Sequence, residues 1–323
     1  MVSDLRSSPV YPPYPGTWQE FRSWFADEQA CAAYLERLRW AGGFQCPTCA
    51  SSKGWRTAEG RWSCGGCARK VSVTAGTIFD RSRIPLQEWF AAAWYVTNQK
   101  YGVSALGLQR LLGLGSYQTA WTMLQKLRTA MVRPGRDRLR GSVEVDEAYV
   151  GGIEQGMRGR GTNTKFIVAI AVEVLSPKGF GRARLQRVED VSGDSLVPFI
   201  GAAVETGAEV HTDAWKGYNG VSKQGYAHQV TNIASTGDPA HVSMPAVHRV
   251  AALLKRWLLG THQGSVTAAY LDAYLNEFAF RFNRRHSRHR GLLFLRLMEH
   301  AVVTPPTRYR PSRSRAQPQD HNL

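Results

Sequence analysis

The sequence predicts a multidomain α+β protein, because three different residue patterns follow one another along its 323 residues. Two Cys-x2-Cys pairs lie near the start, a stretch with apolar residues at helical spacing follows, and β-like alternation begins beyond residue 140. A chain of this length suffices for two or three domains with a substantial core. We therefore divide it into an N-terminal helical segment (1–45), a cysteine-rich segment (46–84), a helical segment (85–140), a mixed α/β segment (141–303) and a basic tail (304–323) that we expect to be disordered.

The chain is strongly basic, with 41 Lys+Arg against 25 Asp+Glu and a formal net charge of +16. An excess of this size says little about the fold but favours a polyanionic partner. Ten arginines lie between Arg281 and Arg315, and the guanidinium fork favours contacts to phosphate oxygens. The alternative is a protein whose basic charge is incidental to its function.

Neither a membrane span nor a signal peptide is visible in the sequence. No apolar run approaches the roughly 18 residues that a bilayer requires, and the N-terminus lacks the apolar core of a signal peptide. We therefore expect no membrane partner and a cytoplasmic location. In a reducing compartment, five cysteines favour metal binding over disulfides.

Four of the five cysteines form two pairs with the spacing of a zinc ribbon. Cys46 and Cys49 are followed, after fourteen residues, by Cys64 and Cys67, which is the pattern of a four-thiolate structural zinc site. We predict one structural Zn²⁺ that takes no part in a reaction, because protein fills all four of its positions. A redox dithiol is the alternative, but it calls for one Cys-x2-Cys beside a βαβ pattern, which is absent. Cys31, in the preceding predicted helix (22–40), is expected to be a small core residue.

The segment 85–140 predicts three helices. Ser104 and Ser116 are placed to cap a short helix and a longer one, with a glycine-bearing turn between them. The longer helix carries four polar or basic residues: Gln118, Gln125, Lys126 and Arg128. This order favours a helix-turn-helix that reads DNA. The alternative is a three-helix bundle used for dimerisation or support.

The segment 141–303 predicts a ribonuclease-H-like α/β core. Three strand-like runs, a helix, a strand, another short strand and then further helices follow one another, which is the element order of that fold. In this order the strand around Asp146 is the central first strand, and Asp213 follows the fourth.

Asp146 and Asp213 are the leading candidates for chemistry, since each is predicted at the tip of a strand. A buried carboxylate is costly unless it is paired or binds a metal. Two such aspartates across one sheet predict a divalent-metal site, which is the chemistry of phosphodiester cutting. The alternative is that each is a turn or capping aspartate. A third ligand must come from the later helix, where His248 and Lys255 lie seven residues apart on one face, about 10 Å from each other.

The chain resembles the bacterial insertion-sequence transposases that carry an N-terminal zinc ribbon and a DDE-type catalytic domain, relatives of the eukaryotic Merlin elements. The resemblance covers roughly residues 18–303, and it rests on the motifs CPTC with CGGC, VEVDEAYVGG, VHTDAWKGY, HRVAALLKRWLLGTHQG and YLNEFAFRFNRR. The resemblance implies that Asp146 and Asp213 are metal-binding aspartates. It also implies that Lys255 is the lysine that follows the third catalytic residue by seven, and that His248 stands at that third position.

His248 departs from the family pattern, in which many relatives have Glu at this position and others Asn. A neutral imidazole can ligate a divalent metal, but it brings no negative charge and is softer than Mg²⁺ prefers. The alternative is a histidine at a helix start that only forms hydrogen bonds. Glu277 is another candidate acid, although its spacing from Lys255 does not fit. Glu144 lies on the strand face of Asp146 and is expected to support the site, whereas Trp215 and Tyr218 are expected to pack.

The resemblance implies a DNA transposase that cuts the ends of an insertion sequence and joins the freed 3′-OH to target DNA, with two Mg²⁺ or Mn²⁺ ions. The implied partners are double-stranded DNA, as terminal repeats and as target, and further copies of the chain on that DNA, in association with the nucleoid. One alternative is a non-catalytic zinc-ribbon and helix-turn-helix regulator derived from a transposase. Another is a nuclease that does not join strands; an RNA-processing nuclease is disfavoured because no RNA-binding motif is visible.

Overall fold

A computed structural model describes residues 13–133, 135–151, 165–232, 240–264, 266–307 and 309. The predicted basic tail lies almost wholly outside these residues, so its disorder stays a prediction. No helix in the described ranges is both long enough and apolar enough to cross a membrane.

The described residues form helices and strands in the predicted order, and the multidomain α+β prediction is confirmed. The helices are α1 (Trp18–Trp24), α2 (Glu28–Arg39), α3 (Leu86–Asn98), α4 (Ala105–Leu112), α5 (Tyr117–Ala130), α6 (Gly193–Ala203), α7 (Ala240–Ser243), α8 (Pro245–His262), α9 (Ala268–Phe282) and α10 (Arg290–Ala301). The strands are β1 (Gly54–Arg56), β2 (Trp62–Cys64), β3 (Lys70–Val71), β4 (Ser142–Val150), β5 (Phe166–Val174), β6 (Phe180–Val188), β7 (Glu209–Asp213) and β8 (Ala227–Thr231).

The larger sheet has five strands in the order β6-β5-β4-β7-β8. Strand β5 is antiparallel to both β4 and β6, whereas β7 runs parallel to both β4 and β8. Helix α6 connects β6 to β7, and α8 and α9 follow the last strand. This mixed sheet has the ribonuclease-H-like order that the sequence predicts, with β4 at its centre.

The alternation of residues along β4 separates two cores. Val143 and Val145 belong to the apolar cluster that packs with α6 on one face of the sheet. Ala148 and Val150 belong to the cluster with α8 and α9 on the other face. Because successive side chains of a strand point to opposite faces, Glu144 and Asp146 are directed toward the α8 side.

The helices at the two ends of the chain share a third core. Buried residues of α2, α3 and α5 pack together with α10, and Phe294 of α10 contacts the rings of Phe25 and Phe90. Helix α10 falls within the segment 141–303 that the sequence assigns to the ribonuclease-H-like core, yet it packs against α3. The domain boundaries therefore stay predictions.

The predicted helix over residues 22–40 is wrong in its continuity. It is divided between α1 and α2, because the Asp27 side chain caps a new helix by accepting a hydrogen bond from the Ala30 N–H at 2.7 Å. Cys31, in the first turns of α2, is fully buried, as the sequence predicts. Burial raises the pKa of its thiol to about 12, which suits a core residue rather than a reactive one.

Helices α3, α4 and α5 form the predicted three-helix segment. Ser104 accepts from the Gly107 N–H and Ser116 from the Gln118 N–H, so both predicted N-caps are present. Gly113 ends α4 in the left-handed conformation, with φ +63°. Of the four polar residues expected on α5, however, Gln125 and Arg128 are buried and unavailable to DNA. This packing suits a supporting bundle, and DNA reading by α5 stays a prediction.

A buried ion pair joins α5 to α9. The Arg128 Nε lies 2.7 Å from Glu277 Oε2, and the two side chains are 2% and 1% exposed. A second guanidinium, that of Arg281, lies 3.3 Å from the other oxygen of Glu277. Gly102 packs directly against this ionic group, and a Cβ atom at this position would collide with the Arg281 guanidinium. Glu277, the alternative candidate acid, is thus held between two arginines.

The substitution Glu277→Gln is expected to lower the free energy of unfolding by about 3–5 kcal/mol, because it leaves the buried Arg128 guanidinium without a counter-charge. Urea denaturation followed by circular dichroism measures the change. The control is Glu59→Gln, since Glu59 pairs with Lys70 on the surface at 3.8 Å and should change stability by less than about 1 kcal/mol. Equal urea midpoints for the two variants would contradict the role given to Glu277.

Candidate active site

The four cysteines of the ribbon come together as a metal centre. Cys46 Sγ lies 3.8 Å from Cys67 Sγ, and Cys49 Sγ lies 3.5 Å from Cys64 Sγ. All four sulfurs lie within 4.8 Å of one another. A tetrahedral ion with Zn–S bonds of about 2.3 Å requires sulfurs about 3.8 Å apart, so the geometry fits Zn²⁺.

The two Cys-x2-Cys loops have the same backbone design. The Ala50 N–H donates to the Cys46 carbonyl and the Ala68 N–H donates to the Cys64 carbonyl, each at 2.9 Å. Both alanines take positive φ, 58° and 57°. The N–H groups of Cys49 and Thr48 lower the pKa of the Cys46 thiol to about 6, which favours the thiolate that binds zinc. An alanine directly after each Cys-x2-Cys pair is therefore a further sequence feature of the metal centre, and the cysteine spacing alone does not include it.

Asp146 lies where the central strand loses one of its neighbours. The pairing of β4 with β7 ends at Glu144 and His211, whereas its pairing with β5 continues to Val150. The sequence predicts Asp146 at the tip of its strand, but the residue lies at the middle of β4. This prediction is wrong because β4 loses only its pairing with β7 before Asp146 and stays paired with β5 beyond it.

Asp213 is the last residue of β7, as the sequence predicts. Its Oδ1 accepts a hydrogen bond from the Trp215 N–H at 3.0 Å, which turns the chain away from the sheet. The Trp215 indole donates to the Val191 carbonyl at 2.7 Å and so fixes this turn against the segment before α6. Asp146 and Asp213 thus belong to neighbouring parallel strands at the level where these strands are no longer paired.

Tyr218 connects the segment after β7 with β4. Its ring is buried in the α6 core, as expected for a packing residue. Its hydroxyl also donates to Glu147 Oε2 at 3.0 Å, a contact that sequence reasoning did not anticipate. Burial and the charges of Glu147, Asp146 and Asp213 raise the pKa of Tyr218. The two candidate aspartates therefore act electrostatically on one buried hydroxyl.

Helix α8 brings His248 to Asp146. The His248 Nε2 lies 3.7 Å from Asp146 Oδ2, and the two side chains are 28% and 15% exposed. Lys255 lies two turns further along the same helix. Partial removal from solvent and the charge of Lys165 lower the pKa of the Lys255 ammonium, and the charge of Asp146 opposes this shift. Asp146 is thus the residue that His248 contacts and whose charge reaches Lys255.

The candidate ligands are less tightly grouped than the cysteines. Among the described side chains, the cysteine cluster is the one set of three or more His, Cys, Asp or Glu whose ligand atoms all lie within 4.8 Å of one another. Asp146, Asp213 and His248 do not form a second such set. Their assignment as metal ligands therefore stays a proposal.

Glu144 fixes the start of α8. Its buried carboxylate accepts hydrogen bonds through Oε2 from the Ala246 N–H at 2.7 Å and the Val247 N–H at 3.0 Å. Burial raises the pKa of this carboxyl, and the two backbone N–H groups oppose the shift. The first turn of α8, immediately before His248, is thus held by the residue two positions before Asp146. Glu144 supports the site by positioning its helix.

Two segments of the chain match known protein families. Residues 138–283 match the family described as the ISXO2-like transposase domain. Residues 26–70 match the family described as the transposase zinc-ribbon domain. The fold is consistent with these matches, with a zinc ribbon in front of a domain built on a five-stranded mixed sheet. Together the two matches support an insertion-sequence transposase with an N-terminal zinc ribbon.

One similar protein comes from a transposable element. The chain is 26% identical over 277 residues to an uncharacterized protein in transposable element ISH50 of Halobacterium salinarum (strain ATCC 700922 / JCM 11081 / NRC-1). The alignment covers 80% of this chain and 91% of that protein. The similarity therefore extends over nearly the full length of the relative.

The substitution Cys64→Ser is expected to reduce bound zinc from about one ion per chain to nearly none, because a structural site needs all four ligands. Metal analysis of the purified, dialysed protein measures it. Cys31→Ala is the matched control, since Cys31 is buried in the helical core away from the ribbon and should leave the zinc content unchanged. Wild-type zinc in the Cys64→Ser protein would show that the metal centre is assigned wrongly.

The substitution Glu144→Ala is expected to loosen the first turn of α8 and to cost about 1–3 kcal/mol of stability, because two buried N–H groups lose their acceptor. Hydrogen–deuterium exchange of the peptide that contains Ala246 and Val247 should become faster. Glu144→Gln retains an acceptor oxygen and should exchange much more slowly than Glu144→Ala. If both variants exchange like the wild type, Glu144 does not hold the helix.

Proposed function

We propose that this transposase cuts the ends of an insertion sequence and joins the freed 3′-OH to target DNA by metal-dependent phosphoryl transfer. The observation that carries the proposal is the 3.7 Å separation of His248 Nε2 from Asp146 Oδ2, beside the gap between β4 and β7. The family match makes DNA the expected substrate, and the net charge of +16 suits a polyanion.

The separation of His248 and Asp146 fits two ligands of one divalent metal. Two ligands that each lie about 2.1 Å from one ion are at most about 4.2 Å apart, and the His248–Asp146 distance falls below this limit. We propose that Asp146, Asp213 and His248 hold Mg²⁺ or Mn²⁺, with two ions in the active complex. Such ions, when bound, activate water and stabilise the leaving oxygen of a phosphodiester.

The other side chains position these groups and the substrate. Glu144 fixes the helix of His248, and the Asp213 turn is fixed by Trp215. Lys255 projects from the same helix as a cation that is close enough to Asp146 to sense its charge. We propose that Lys255 binds a phosphate oxygen of the strand being cut, because an ammonium next to a metal-binding carboxylate neutralises phosphate charge at that point.

The histidine gives the site a metal preference that can be tested. Imidazole suits softer ions than Mg²⁺, so cleavage should be faster with Mn²⁺ than with Mg²⁺. His248→Glu adds a carboxylate at the same place and should shift the preference toward Mg²⁺.

The proposed complex contains double-stranded DNA, as terminal repeat and as target, and more than one copy of the chain. The zinc ribbon and helices α3 to α5 are proposed to bind the terminal repeat. A location in the cytoplasm on the nucleoid is part of the same proposal, since it follows from the DNA substrate.

The deciding experiment measures cleavage of a labelled element end and its joining to a plasmid, with Mn²⁺ and with Mg²⁺. Asp146→Asn, Asp213→Asn and His248→Ala are each expected to lower both rates by more than about 100-fold, since each removes a metal ligand. Asp194→Asn is the control, because this exposed aspartate lies in the first turn of α6.

Each outcome separates the alternatives. Undiminished cleavage by Asp146→Asn would refute the proposed site. A wild-type protein that binds DNA but never cuts it would be a non-catalytic regulator. Cleavage without any joined product would identify a nuclease. A normal rate for His248→Ala alone would remove His248 from the ligand set and leave the two aspartates.

A further inference from the structure

A cleft of about 700 Å³ lies between the sheet and the helical part of the chain. Its walls come from the turn after α5, from β6, from the end of α9 and from α10. Six arginines line it: Arg133, Arg136, Arg182, Arg184, Arg284 and Arg296. The cleft is separate from the His248–Asp146 contact, and nothing in the proposed chemistry uses it.

Three of these arginines have a carboxylate partner. Arg182 lies 2.6 Å from Glu173 Oε1, Arg296 lies 2.7 Å from Glu299 Oε2, and Arg133 lies 3.5 Å from Asp137 Oδ1. In the described part of the chain, no carboxylate lies within 4.0 Å of the other three, which are Arg136, Arg184 and Arg284. The cleft therefore carries an excess of positive charge.

Neutral groups hold two of these arginines in place. Arg184 is 6% exposed and donates to the carbonyls of Asp137 and Ala183. Arg284 donates to the Phe280 carbonyl at 3.2 Å and stacks over the Phe280 ring at 4.0 Å. Carbonyls and a ring orient a guanidinium but do not neutralise it, so both cations remain available to an anion from outside the chain.

The charges in the cleft also act on one another. Burial, with the positive charges of Arg136 and Arg182, lowers the pKa of Arg184 to about 10. Burial and the charges of Arg296 and Arg133 lower the pKa of Arg284 to the same range. Both remain protonated at pH 7, so the repulsion persists in the free protein and a bound anion would relieve it.

The cleft lies at the β6 edge of the sheet. Arg184 pairs in register with Ala171 of β5, and Ala171 pairs with Val145 of β4, so Arg184 shares the α6 face of the sheet with Val145, whereas Asp146 is directed toward α8. Two strand spacings, about 10 Å, separate β6 from β4. Asn283 locks this edge to α9, since its side chain accepts from the Ala183 N–H and donates to the Ala183 carbonyl.

We propose that this arginine cleft binds consecutive backbone phosphates of DNA along the β6 edge of the sheet. The inference rests on the proposed function in taking DNA as the substrate. A single inorganic phosphate would engage only part of a cleft of 700 Å³ with six guanidinium groups on its several walls. A strand of DNA presents phosphates in a row, and forked arginine contacts suit each of them.

The test measures binding rather than cutting, so that its failure is distinct from failure of the proposed chemistry. The affinity for a labelled duplex is determined by fluorescence anisotropy at several salt concentrations, without added Mg²⁺ or Mn²⁺. Arg136→Gln/Arg284→Gln should weaken binding and reduce the slope of log K against log salt by about two, since each lost phosphate contact lowers it by about one.

A matched control loses two positive charges elsewhere. Arg22→Gln/Lys178→Gln changes exposed residues of α1 and of the β5–β6 turn, and its slope should stay at the wild-type value. Arg136→Gln alone changes only an exposed side chain at the mouth of the cleft and should lower the slope by about one. It therefore keeps the test valid if the double variant is poorly folded.

Two results would overturn the inference. One is a wild-type affinity and slope for Arg136→Gln and for the double variant. The other is stabilisation of the wild type against heat by inorganic phosphate, lost in Arg136→Gln, while DNA binding is unchanged; this would assign the cleft to a small anion. Loss of DNA binding together with normal zinc content supports the cleft, whether or not the protein is found to cut DNA.

Discussion

The contact of the Glu144 carboxylate with the first turn of α8 is the interaction on which the candidate site depends. A buried carboxylate is normally a cost, but here two backbone N–H groups and the positive end of a helix dipole stabilise it. Because Glu144 and Asp146 are directed to the same face of β4, one strand both anchors the helix and presents a carboxylate to it. The distance between His248 and Asp146 is therefore set by two residues of a single strand and the first turn of one helix.

The second constraint is the ionic group around Glu277, which relates the helical part of the chain to the sheet. Arg128 comes from α5, whereas Glu277 and Arg281 come from α9, and Arg281 also donates to the Gln99 carbonyl. Displacing either partner of such a buried pair is costly, because it leaves a buried charge unpaired. The arginine cleft lies at the same junction, between α10 and β6, so its shape follows from this arrangement.

Local pattern was sufficient to predict the zinc ligands, the order of the strands, both serine caps and the helix that carries His248 and Lys255. Each depends on residues that are close in sequence or on one periodicity. The burial of Arg128 could not be predicted from local pattern, since its partner Glu277 lies 149 residues away. An arginine on a helix ordinarily indicates a solvated or DNA-binding face. The predicted position of Asp146 at a strand tip was wrong for a related reason. The point where β4 stops pairing with β7 depends on both strands, so the sequence of β4 alone does not show it. The packing of α10 with the N-terminal helices was likewise invisible, because its apolar spacing fits any core.

Gly102 shows how far the ionic group extends into the loop after α3. It has φ +78°, and a Cβ there would lie 2.4 Å from Arg281 Nη1, 2.7 Å from Trp257 Nε1 and 2.9 Å from Glu277 Oε1. Every other amino acid at this position would push apart an ion pair and an indole that donates to the Tyr101 carbonyl. A residue with no side chain therefore sets how closely two parts of the chain approach. Mutational sensitivity in this transposase is accordingly expected at a closely packed backbone position as well as at the carboxylates of the candidate site.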